Sequence, residues 1–292
     1  MQKENSHTQL IQFFALAFAI AWIVWIPIYF GLISEGFVPL GFLGPIASAT
    51  ILTYRNSGGK GLKKLLAGLV RFKADPIWYL AIFVPAALTI STHLIFCAFF
   101  DYNTFVGADK ILINFIIISI FLVLEEVGWR GYALPRLLSS NNALVSSLTL
   151  GSIWAIWHFP FWAIVPIDGA PEPFHIFYLT GTLGAIAMAV IITWIYNNTK
   201  KSIAMATLCH ASFNATIGAI TFDKSIAIYH NLIFVSLAAL TVILLILLFG
   251  SNLSMPLDCR KKVDSNLTFL FPKNSIFMLH PNQHYGGRKY CG

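Results

Sequence analysis

The sequence predicts an all-α polytopic membrane protein, and three observations carry that prediction. Of 292 residues, 57% are hydrophobic and only 11% are charged, less than half the roughly 25% charged share of soluble domains. Phe, Trp and Tyr together make up 15%, which removes disorder as an alternative. The apolar residues run in continuous stretches of about 20, suiting bilayer-crossing helices; strands of an outer-membrane barrel would alternate apolar and polar residues. The four cysteines, Cys97, Cys209, Cys259 and Cys291, are scattered and frame neither a disulfide scaffold nor a zinc ribbon.

Eight stretches qualify as spans: 10–33, 36–54, 77–100, 111–132, 143–165, 176–196, 203–220 and 229–250. The first is too long for a signal-peptide core and lacks a basic leader, so it reads as a true span. Loop charges orient the set. Of the 19 basic residues, 17 fall on one side, among them Arg55, Lys60, Lys63, Lys64, Arg71, Lys73, Arg136, Lys200 and Lys201. The other side holds Lys110 and Lys224, with Glu35, Asp101, Asp109, Asp168, Glu172 and Asp223. The positive-inside rule then puts both termini in the cytoplasm, which requires an even number of spans. The net charge of +7 follows from that asymmetry and suits anionic lipid; it calls for no nucleic-acid partner.

Residues 61–73 (GLKKLLAGLVRFK) interleave Leu, Val and Phe with Lys and Arg at helical spacing. They read as an interfacial amphipathic helix, an anchor in the simpler reading and a substrate gate in the other. Residues 1–250 are expected to form one membrane domain. Residues 251–292 are a polar tail with Pro256, Pro272 and Pro281, expected to be poorly ordered, and Tyr290-Cys291-Gly292 is not a prenylation box.

Ionisable residues inside spans cost about 2.5–3.5 kcal/mol each at mid-helix, and this chain gathers them in three places. The fourth span carries Glu125 and Glu126, with Arg130 four residues after Glu126. That spacing lets Glu126 and Arg130 pair on one helical face, while Glu125 projects about 100° away. The expectation is a structural Glu126 and a chemical Glu125. Snorkelling is the alternative, but two short carboxylates below Leu124 reach water poorly. The fifth span carries Trp154-Ala-Ile-Trp-His158; a lone His on an aromatic face also reads as packed core. The seventh carries His210 and Asn214 one turn apart, a pair that could equally be helix-to-helix hydrogen-bonding glue. Together they make a hydrolytic set: a carboxylate base, a held water and donors for an oxyanion. Depth, at about 1.5 Å per residue, puts Glu125 roughly 8 Å from Arg130 and His210 roughly 10 Å from Ile203. His158, roughly 22 Å from Ala143, matches them only if its span starts nearer Leu148.

Glu125-Glu126-x-x-x-Arg130, then aromatic-x-x-x-His158, then His210-x-x-x-Asn214 resembles the CPBP family of intramembrane endopeptidases, which takes in CAAX proteases, bacteriocin-processing and Abi-like proteins and the type II CAAX prenyl proteases. The resemblance covers residues 115–219. One departure is Trp154, where the family usually has Phe. The resemblance implies that Glu125 and His158 activate water, that His210 and Asn214 stabilise the oxyanion, and that Glu126 and Arg130 support them. It also implies a conical cavity open to the cytoplasm, and a peptide or prenylated protein as substrate. The membrane would be the cell or inner membrane in a bacterium and the endoplasmic reticulum in a eukaryote. No cofactor is expected. Zinc, on Glu125, His158 and His210, is the alternative; the absence of H-E-x-x-H spacing and the poor ligand quality of Asn weigh against it. A proton-coupled transporter or a non-catalytic immunity or scaffold protein are the competing classes. Neither repeat symmetry nor matching helix breaks at Gly128 and Pro160 support the transporter.

Overall fold

The computed structural model of the chain describes residues 2–100, 108–164, 174–220 and 226–255. Among the described residues there are eight long helices and no strand: α1 (Gln2–Tyr29), α2 (Leu43–Leu66), α3 (Val84–Phe100), α4 (Ala108–Glu126), α5 (Ala143–Ile164), α6 (Phe174–Asn198), α7 (Ile203–Ile217) and α8 (Ala227–Phe249). Seven of the described segments are long and apolar enough to cross a bilayer. The protein is an integral membrane protein of all-α fold.

The exception is α7, whose 15 residues reach about 22 Å at 1.5 Å per residue, short of a hydrocarbon core about 30 Å thick. Its neighbours enclose it. Ala204, Ala206, Ala211, Ser212 and Ala215 are buried against α4, α3 and α6, and small side chains let helices approach closely. Packed neighbours link up in the order α1, α2, α4, α7, α3, α8, α6, α5 and back to α1.

Two departures from the expected elements matter for the site. The fourth span continues past Glu126 through a π-helical stretch, Val127–Ala133, into a last turn, Leu134–Leu137. The amphipathic helix is shorter than expected, ending at Leu66. Within α2, Gly58 takes φ 57°, a left-handed conformation at which the helix kinks and which costs glycine nothing. Beyond Leu66 the chain turns, and the Gly68 carbonyl accepts hydrogen bonds from the amides of Ile203 (3.0 Å) and Ala204 (3.2 Å). With Ser202 Oγ accepting from the Met205 amide at 3.1 Å, these bonds satisfy donors that a helix start otherwise leaves open.

α1 backs the site through an aromatic wall. Phe13 stacks on Tyr132 at 5.1 Å, Trp129 meets Trp157 edge-on at 5.5 Å, and Trp157 meets Trp25 at 4.7 Å. The indole of Trp22 donates to the Trp157 carbonyl at 3.0 Å, which ties α1 to α5. The bundle belongs to one compact unit, Met1–Leu253; Ser254–Gly292 form a second. The tail from residue 256 lies outside the described residues, as do Asp101, Asp168, Glu172, Asp223 and Lys224.

Candidate active site

The π-helical stretch after Glu126 is the local feature that builds the site, and such stretches recur at functional positions. It brings Gly128 against α2 so closely that a Cβ there would lie 2.5 Å from Pro45 Cβ. Arg130 Nη1 donates to Glu126 Oε1 at 2.7 Å, and both side chains are fully buried. Glu126 does more than the sequence reading gave it. The same Oε1 takes Nδ1 of His210 at 2.9 Å, so the supporting carboxylate also orients the histidine of α7. A carboxylate only accepts, so Nδ1 carries the proton and Nε2 is left for the cavity.

Glu125 turns the other way, as the sequence predicts. Its Oε2 accepts from Trp154 Nε1 at 2.9 Å, a bond that joins α4 to α5. One turn on, His158 Nδ1 lies 2.9 Å from the Trp154 carbonyl. A carbonyl only accepts, so here too Nδ1 carries the proton. His158 Nε2 then faces Glu125 Oε2 as an acceptor, 4.0 Å away. Both residues are buried.

The depth mismatch is resolved from the α4 side. α5 does start at Ala143, leaving His158 roughly 22 Å along it. Glu125 is matched because its helix runs on to Leu137, which puts the carboxylate about 18 Å from that end instead of 8 Å.

Glu125, Trp154, His158, His210 and Asn214 all line one cavity of about 420 Å³. The rest of its wall is mostly apolar, including Phe42, Leu122, Phe161, Phe177, Met188 and Phe234. The lining residues of α4, α5, α6, α7 and α8 lie from Glu125 toward the acidic-loop ends of their helices. The cavity therefore extends away from the basic loops, whereas the resemblance implies an opening on the cytoplasmic side. On the basic side, buried Glu126, Arg130 and Tyr132 fill the bundle. Phe121 lines the cavity while 57% exposed, so part of the rim is on the outer face of α4.

With that geometry in view, the comparisons with known proteins are informative. Residues 107–216 match the family model described as type II CAAX prenyl endopeptidase Rce1-like. Over those residues the chain is similar to the CAAX protease family. The matched stretch includes Glu125, Glu126, Arg130, Trp154, His158, His210 and Asn214. The chain is also 28% identical over 236 residues to a protein of Methanococcus maripaludis named CAAX prenyl protease 2, covering 73% of this chain and 86% of that one.

The alternative zinc set is Glu125, His158 and His210. Among the described residues, no three His, Cys, Asp or Glu side chains group as metal ligands would. The Glu125 oxygen nearest His158 is already the acceptor of an indole N–H.

Two histidines escaped the sequence reading. His230 of α8 lines the same cavity, and its ring centroid lies 6.0 Å from that of His93 on α3. Both are buried in spans, and an ionisable residue within a span is the signal that would have found them.

Proposed function

We infer that this chain is an intramembrane endopeptidase, hydrolysing a peptide bond beside a membrane-embedded or prenylated segment. The observation that carries the reading is the 4.0 Å separation of Glu125 Oε2 and His158 Nε2. Two acceptors at that distance are too far apart for a hydrogen bond to each other. They suit a water that gives one hydrogen to each and turns its lone pair toward a carbonyl carbon. Glu125 takes the water's proton as the C–O bond forms, then delivers it to the leaving amine as the C–N bond breaks. Asn214 and His210 face the oxyanion. During that step His210 donates through both ring nitrogens, Nδ1–H to Glu126 and Nε2–H to the oxyanion. No step runs through a metal.

The apolar lining of the cavity favours a substrate with a lipid or membrane-embedded segment, in line with the printed names of the family and the relative. In this reading both termini are cytoplasmic, from the distribution of basic residues. The experiment is hydrolysis of quenched-fluorescent peptides, prenylated and unprenylated, by protein purified in detergent. Glu125→Gln should abolish turnover while folded protein accumulates normally. A fully active Glu125→Gln protein would overturn the mechanism.

A further inference from the structure

Trp154 stands where the resembling family usually has Phe, and its surroundings use the part of the side chain that Phe lacks. Its indole N–H donates to Glu125 Oε2 at 2.9 Å. The Arg130 guanidinium carbon lies 5.2 Å from its ring centroid. His158 and His210 meet the same ring edge-on, at 5.2 and 5.0 Å. An indole is positive at its edge and negative on its face. Here the edge meets the anion and the face meets the cation. Arg130 has reason to use that face, because its Nε and Nη2 have no hydrogen-bond partner among the described residues.

The bond also crosses between helices with different neighbours. α4 packs chiefly on α7 and α2, whereas α5 packs on α6 and α1. The direction of Glu125 relative to His158 is therefore fixed where Trp154 joins the two helices. We propose that Trp154 is a positioning residue, whose indole N–H holds the Glu125 carboxylate in register with His158 while its face holds Arg130. This rests on the reading of Glu125 as the base.

Replacement by Phe keeps an aromatic face and removes the N–H. A hydrogen bond to a charged group is worth enough that Trp154→Phe should lower kcat about ten- to a hundredfold, with KM within about twofold. An indole isostere with sulfur in place of N–H, benzothienylalanine at position 154, should lose kcat to the same extent while unfolding at the wild-type temperature. It also decides the matter if Trp154→Phe does not fold. Wild-type kcat in either variant would overturn the proposal. So would a loss in both that merely tracks the folded fraction, since that is what a packing role alone would give. Glu125→Gln run in parallel separates the two failures: if it is active the base assignment is at fault, and if it is dead while Trp154→Phe is unimpaired only the positioning role falls.

Discussion

His210 Nδ1 and Arg130 Nη1 converge on one oxygen, Glu126 Oε1, at 2.9 and 2.7 Å. Glu126 lies outside the cavity lining yet touches a residue inside it. The division of labour expected from sequence, Glu125 for chemistry and Glu126 for structure, becomes a division between direct and relayed contact.

The first prediction follows from that oxygen. Glu126→Gln leaves the Arg130 charge buried without its anion, and breaking a buried pair costs about 3–5 kcal/mol. The protein should unfold at markedly lower temperature in detergent. The molecules that remain folded should also turn over more slowly, because His210 loses its orienting carboxylate. Wild-type stability would show that the pair does not hold the bundle together.

Asn214 and the metal question can be tested on one preparation. If Asn214 gives a hydrogen bond to the oxyanion, Asn214→Ala should be slower by about 10²–10³ and still measurable. Chelator washing should leave wild-type activity intact. About one zinc per chain, with activity following its occupancy, would transfer Glu125, His158 and His210 to a metal mechanism and leave the protease assignment in place.

Orientation is the third prediction. A cysteine placed at Lys60, on the basic side, should be labelled by an impermeant reagent only after the membrane is opened. One placed at Gly36 should be labelled from outside. The reverse pattern would invert the chain, and the cavity would then extend toward the cytoplasm.

Much of this was legible in the residues. All eight apolar stretches became helices, since each is too apolar to face water. Glu125, Glu126, His158 and His210 stood out because hydrocarbon penalises them, and the i, i+4 spacing of Glu126 and Arg130 led directly to their bond. What was hidden depended on how helices are rotated and staggered against one another. The fourth span was expected to end at residue 132, with Arg136 in the basic loop beyond it. The π-helical stretch instead carries it to Leu137, and this sets the depth of Glu125. Nothing in His210-x-x-x-Asn214 tells which nitrogen faces Glu126. An aromatic at 154 was visible as part of a motif, but its N–H acquires meaning only once α5 is turned toward α4.

The cap that Gly68 places on α7 sets a depth. The segment carrying Gly68 presents Leu66, Val70 and Phe72 with Lys63, Lys64 and Lys73 at its surface, a mixture suited to the boundary between headgroups and acyl chains. α7 hangs from that segment like a plumb line, and seven residues, about 10 Å, separate Ile203 from His210. Long helices tilt when the bilayer thins or thickens. A short one enclosed by protein and suspended from the surface does not have to follow. The depth of His210 is then measured from the leaflet surface, and it stays constant while the surrounding bilayer changes in thickness.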